Sequence, residues 1–161
     1  MKILQGKEKE HAMKFMQAVI EQAKNATCTR AKGGSVIVKK GKIIGTGYNS
    51  PPAELETQRK CSCDKSTLHR KITDKTCCIH AEQRAILDAL RKHPIDLENS
   101  TIYFVNIDEN GKIVPAGKPY CTICSKMALD CGVKEFVLFH GDGVCVYNTE
   151  EYNKLSYKYS E

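Results

Sequence analysis

Tryptophan is absent from this sequence, and aromatic residues make up only 7% of it. That leaves little to stack on nucleic-acid bases. No stretch approaches the roughly 20 apolar residues of a bilayer-spanning helix, so a membrane span is not expected. The opening MKILQGKEKEHAMKF breaks every apolar run with charge, unlike a signal peptide. There is neither an internal repeat nor a Gly/Pro/Ser-rich linker. With 161 residues, the expectation is a single domain, 1–161, around one core. The formal net charge of +6 would suit an anionic substrate such as a phosphate, and solubility alone accounts for it equally well.

Cysteine, by contrast, is abundant. Nine are present, an odd number, in the spacings Cys61-x-Cys63, Cys77-Cys78 and Cys121-x-x-Cys124. These do not resemble a secreted disulfide framework. A reducing, cytoplasmic setting, where thiolates serve metals or catalysis, is the better expectation.

Periodicity organises the rest. Met13, Met16, Ile20 and Ala23 recur at helical steps between about Glu8 and Ala26. GGSVIVKKGKIIGTGYN reads as two strands around a Lys40-Gly41 turn. Residues 50–76 mix Pro, charge and cysteine without a period and read as a Cys-rich insertion loop, long enough to need a staple. A second helix is expected over Ala81 to Lys92, burying Ala85, Ile86, Ala89 and Leu90 and ending before Pro94. The strand STIYFVNI follows, then a helix from Cys121 to Cys131, the strands EFVLF and VCVYN, and a last short helix in TEEYNKLSY. Such alternation predicts a three-layer α/β domain.

His80 opens one predicted helix, and Cys121 and Cys124 open another at i and i+3, on one face. If the two helices lie side by side, one imidazole and two thiolates converge. Three protein ligands leave the fourth tetrahedral position of a zinc ion open, which distinguishes catalytic from structural sites. Helix N-termini also favour the ionised thiolates. Glu82, two residues past the histidine, is then placed to move a proton between water and a substrate nitrogen. Each part has a plainer use. Cys-x-x-Cys alone serves a redox pair or a zinc knuckle, and a histidine at a helix start often only caps it. The combination of His-x-Glu with Cys-x-x-Cys is the signature of the zinc nucleobase deaminases.

The pieces CTRAKGGSVIVKKGKIIGTGYN, CIHAEQRAI and YCTICSKMALDCGVKEFVLF, in that order, resemble the cytidine and deoxycytidylate deaminase superfamily, most closely its deoxycytidylate branch. The resemblance implies an α/β/α sandwich on a five-stranded mixed sheet, usually assembled as a homo-oligomer. It implies that His80, Cys121 and Cys124 bind zinc, and that Glu82 shuttles protons while zinc-held hydroxide attacks C4 of a cytosine nucleotide. It further implies substrate contacts from Asn49, which ends GYN, and from the backbone of Ala81. One departure stands out: the superfamily has proline directly before the first cysteine, whereas here Tyr120 intervenes and alters the pocket floor. Some members carry a second, structural zinc. Cys28, Cys61, Cys63 and Cys78 stand at matching places, with His69 as an alternative ligand, although free cysteines also serve as small buried hydrophobes.

Rival expectations share the same chemistry. One is base editing of tRNA or single-stranded DNA, with Tyr147, Tyr152, Tyr157 and Tyr159 stacking on bases. Others are a deaminase of another free base or nucleoside, and a zinc scaffold without turnover.

Overall fold

The structure is a computed structural model that describes residues 1–61, 63–71 and 77–159. In chain order its elements are β1 (Lys2–Ile3), α1 (Gly6–Ala23), β2 (Lys32–Lys39), β3 (Lys42–Tyr48), α2 (Ala81–Lys92), β4 (Thr101–Ile107), β5 (Ile113–Val114), α3 (Thr122–Asp130), β6 (Glu135–His140), β7 (Gly143–Asn148) and α4 (Thr149–Ser156). The strands form one mixed sheet in the order β1-β7-β6-β4-β2-β3, with β5 pairing the end of β4. Among the described residues, only β4 and β6 run parallel. The five longer strands are those expected from the sequence. The sheet has seven because β1 and β5 add two residues each, too short to carry any periodicity.

Strand alternation sorts the core into two layers. Val36, Val38, Tyr103, Val105 and Val137 face α1, whereas Ile37, Ile102, Phe136 and Leu138 face α2, α3 and α4. This is the α/β/α sandwich. In α1 the buried stripe is Ala12, Met16, Val19 and Ala23, so the expected Met13 and Ile20 lie at its margin, partly buried. Two adjacent helical stripes overlap in a sequence this apolar, and packing against β2 and β4 selects between them. Full burial of Met16 and Val19 contributes about 1.5–3 kcal/mol each. On α2 the stripe is Ala81, Glu82, Ala85, Ile86 and Ala89, and Leu90 is exposed rather than buried.

A two-residue hairpin joins β2 to β3, with Lys40 (φ 48°) and Gly41 (φ 75°) both left-handed. The segment 50–76 is not featureless: it contains three short 3₁₀ turns, at Pro52–Glu54, Glu56–Gln58 and Lys65–Thr67. Ser62 and residues 72–76 lie outside the described residues.

One contact sets the height of α2 above the sheet. A Cβ on Gly47 would stand 2.3 Å from the Ala81 carbonyl oxygen and 2.5 Å from the Ala85 nitrogen. Only a glycine permits this approach, and it fixes the first turn of α2, where the chemistry sits. Gly47→Ala is expected to destabilise the protein by about 1–3 kcal/mol through overpacking. Urea unfolding measures this, and an unchanged midpoint would contradict the contact.

Candidate metal centre and active site

The ligand geometry begins with two helix ends. His80 is the N-cap residue of α2, and its backbone N–H donates to Gln83 Oε1 at 3.0 Å. Just before it, Ile79 N–H donates to the Ser50 carbonyl at 3.0 Å, an isolated bridge that ties the approach to α2 to the chain leaving β3. Cys121 is the N-cap of α3, and Cys124 N–H donates to its sulfur at 3.4 Å. The hydroxyl of Ser125 donates to Asn153 Oδ1 at 2.8 Å, which anchors α3 to α4.

These ends meet. His80 Nδ1 lies 3.2 Å from the sulfur of Cys121 and 3.2 Å from that of Cys124. All three ligand atoms fall within 4.8 Å of one another. A shared tetrahedral zinc at ordinary bond lengths would separate nitrogen from sulfur by about 3.5 Å. The soft, mixed donor set and its spacing fit such an ion. Burial works against ionising both thiols, and they share one charge: the Cys124 thiol donates to Cys121 and holds it as thiolate, down to about 4, while Cys124 itself is pushed well up.

Glu82 stands beside them, 5% exposed. Burial raises its carboxyl to about 7; His80 opposes the shift and the Cys121 charge adds to it. A carboxyl poised there accepts and returns protons readily near neutrality.

A cavity of about 210 Å³ opens onto this group. His80, Ala81 and Glu82 form one part of its wall, Asn49 and Tyr120 another, so the substrate-side residues named from sequence share one space. Sharing the space does not leave each of them free. Asn49 Oδ1 accepts from Gly33 N–H at 2.8 Å and its Nδ2 donates to the Ala31 carbonyl at 2.9 Å. Tyr120 is 53% exposed, with its ring 5.7 Å from that of Tyr159. Arg30, Phe104 and Asn106 also line the cavity, and sequence reasoning had not singled them out. Strand alternation could have found Phe104 and Asn106, which share a face of β4 with Ile102.

A second cluster sits next door. The sulfurs of Cys28, Cys61, Cys77 and Cys78 lie within 4.8 Å of one another, with Cys61 and Cys78 at 3.6 Å. A tetrahedral tetrathiolate zinc would set sulfurs about 3.8 Å apart, so this set also fits. Burial opposes ionisation of Cys61, but hydrogen bonds from Thr29, Cys77 and Cys78 prevail and bring it down to about 6. Burial and the neighbouring sulfurs push Cys77 and Cys78 up. The expected ligand set needs correction. Cys63 is not in the group; its N–H closes a turn onto the Lys60 carbonyl at 3.1 Å. His69 is not in it either: it is exposed, and its Nδ1 accepts from Lys71 N–H at 3.1 Å. Cys77 takes the fourth place.

The tyrosines expected to stack on bases divide. Tyr147 and Tyr152 are core residues, 4% and 3% exposed, while Tyr157 and Tyr159 lie outside.

Comparison with known proteins decides the lineage. Residues 9–140 match the family described as the cytidine and deoxycytidylate deaminase zinc-binding region. The chain belongs to this family. Similar curated proteins are the deoxycytidylate deaminases of Saccharomyces cerevisiae, 29% identical over 146 residues, and of Mycobacterium phage D29, 26% identical over 129 residues. These alignments take in 85% and 76% of this chain, but 42% of the yeast protein and 89% of the phage one. The Schizosaccharomyces pombe deoxycytidylate deaminase is 29% identical, with 78% of this chain and 35% of that protein covered, so the chain spans about two-fifths of its yeast relatives. Among solved structures, the cyanophage S-TIM5 dCMP deaminase in complex with dCMP and dUMP superposes with a TM-score of 0.55 at 21% identity, over 83% of this chain and 82% of that one. That likeness bears on the fold alone. Among the described residues, no helix is long and apolar enough to cross a membrane.

The two thiol groups predict separable metal contents. Cys124→Ser should lose one equivalent of zinc and Cys61→Ser a different one, whereas Glu82→Gln should lose none. Elemental analysis of the purified variants measures this. Loss of both equivalents from either serine variant would contradict two independent sites.

Proposed function

We propose that this protein is a zinc-dependent hydrolytic deaminase that converts a cytosine nucleotide, deoxycytidylate by preference, to the uracil nucleotide and ammonia. The observation that carries the reading is the buried Glu82 beside the convergent His80, Cys121 and Cys124 at the wall of a cavity. The match to the family and to deoxycytidylate deaminases supports it.

His80, Cys121 and Cys124 would hold the ion. Zinc so bound lowers the pKa of a water to about 7. Glu82 takes one proton from the attacking water and gives it to the ring nitrogen, then takes the second from the new C4 hydroxyl and gives it to the departing amine. Water adds at C4, the carbon–nitrogen bond to the amine breaks, and uracil and ammonia balance cytosine and water. Burial of Glu82 limits access of bulk water and raises its carboxyl to about 7, where it both takes and returns protons near neutral pH. Cys28, Cys61, Cys77 and Cys78 would hold a second, structural zinc that ties residues 59–61 and 77–78 to the entry of β2 and offsets loop-ordering entropy. The nucleic-acid reading loses support, because two of its four tyrosines are in the core.

Glu82→Gln should keep its zinc yet lower ammonia release by at least about a hundredfold, the scale of a general acid–base. Turnover close to wild type would remove Glu82 from the mechanism. Arg30 is the cationic side chain on the cavity wall, exposed at its mouth, and suits the substrate phosphate. Arg30→Ala should raise KM for deoxycytidylate about tenfold or more, with a much smaller change for deoxycytidine. Equal effects on nucleotide and nucleoside would contradict a phosphate role.

A further inference from the structure

Arg84 lies one helical turn past His80 on α2, and its own N–H donates to the His80 carbonyl at 3.1 Å. Its side chain reaches the chain leaving β3. Nη2 donates to the Pro51 carbonyl at 2.7 Å and, more weakly, to that of Ser50 at 3.5 Å. The guanidinium carbon stands 5.9 Å from the centre of the Tyr48 ring, and Nη1 lies 3.9 Å from Glu54 Oε1. Residues 48–54 thus gather around one cation.

This is not a surface ion pair. The arginine side chain is 20% exposed and that of Glu54 is 54% exposed, so their long contact, open to water, contributes little. Nε is buried and, among the described residues, has no partner. An unpaired buried donor is costly, and the bonds to the two carbonyls offset it.

The Ser50 carbonyl is shared. It also accepts the N–H of Ile79 at 3.0 Å, and Ile79 directly precedes His80. The bonds therefore close a circuit: His80 to Arg84 along the helix, Arg84 to Ser50 and Pro51 by its side chain, Ser50 to Ile79, and Ile79 back to His80. Ser50 has no exposed surface, so water does not compete for this junction. A residue inside such a circuit cannot shift without breaking one of its links. His80 is that residue, and its Nδ1 stands 3.2 Å from both ligand sulfurs. Asn49 is held by its own bonds to Gly33 and Ala31. Loss of the Arg84 contacts would therefore loosen the metal side of the cavity and leave the substrate side in place.

Resting on the cytosine-nucleotide reading above, we infer that Arg84 is a positioning residue for the reaction: through Ser50 and Ile79 it fixes where His80 presents its ring to the two sulfurs. The planar guanidinium suits the task, because it lies by the Tyr48 ring while donating to backbone oxygens, and an ammonium is a single point charge.

The test combines zinc release to a chelator with steady-state ammonia release from deoxycytidylate, for wild type, Arg84→Met, Arg84→Lys and Glu54→Gln. Arg84→Met loses every side-chain donor at similar length. It should release the equivalent of zinc that Cys124→Ser lacks about tenfold faster or more, and lower kcat about tenfold or more, the scale of a lost outer partner of a metal ligand. KM should stay within about twofold of wild type, the mark of a residue that acts on the chemical step and not on binding. Arg84→Lys keeps the charge without the fork and should fall between the two; it also supplies the comparison if methionine prevents folding. Glu54→Gln should match wild type throughout, and a loss as large as that of Arg84→Met would overturn the carbonyl circuit in favour of the ion pair. Wild-type kcat and zinc release in the Arg84 variants, even with a lowered Tm, would overturn the assignment, since the residue would then serve the fold alone. A raised KM at unchanged kcat would overturn it as well. Wild type inactive on deoxycytidylate would overturn the cytosine-nucleotide reading instead, and zinc release would still decide the role of Arg84.

Discussion

Everything about this site depends on bringing two helix N-termini to one point. His80 begins α2 and Cys121 begins α3, and neither could reach the other unless both helices lay on the same face of the sheet with their first turns side by side. The sheet enforces this. Strand β4 leads towards α3, and the glycines of β3 let α2 settle close. N–H groups at those ends, which have no carbonyl partner within the helix, favour anionic sulfur, so the fold supplies both the positions and the electrostatics of the ligands. Burial of Glu82 follows from the same packing, because its neighbours Ala81 and Ala85 are pressed against the sheet.

The cysteine-rich segment shares a wall with this centre. Cys28, Cys77 and Cys78 line the same cavity as His80 and Glu82. Cys78 precedes His80 by two residues, and Arg59 reaches the Thr27 carbonyl at 2.7 Å, so the loop, the entry to β2 and the entry to α2 are tied together. A long loop would ordinarily cost a great deal of ordering entropy. Here the clustered cysteines shape the space in which a substrate would lie, and the second zinc proposed above would staple the loop.

Much of this was legible in the sequence, for identifiable reasons. The helix α2 has the limits its periodicity and Pro94 dictate, and the Lys40-Gly41 turn lies where two apolar runs meet. The His-x-Glu and Cys-x-x-Cys pairs were readable because ligand spacing on a helix start is a local property. What escaped depends on contacts distant in sequence. Cys77 rather than Cys63 completes the second cluster, because that cluster forms only where the fold brings Cys28, Cys61 and the Cys77-Cys78 pair together. Leu90 is exposed and Tyr147 buried because tertiary packing, not local pattern, decides which margin of an element faces inward. Phe104 and Asn106 carry no motif, and Arg30, although within the piece CTRAKGG, has no spacing that marks it. They gain meaning only when strand pairing places them around one cavity.

The central claim is that one imidazole and two sulfurs grip a single ion and leave its fourth corner for water. A crystal structure phased with anomalous scattering at the zinc edge measures this directly. The account predicts a peak bonded to His80 Nδ1 and to the sulfurs of Cys121 and Cys124, completed by a non-protein oxygen. A fourth protein side chain on that ion, or no peak among those three atoms in zinc-replete protein, would contradict it.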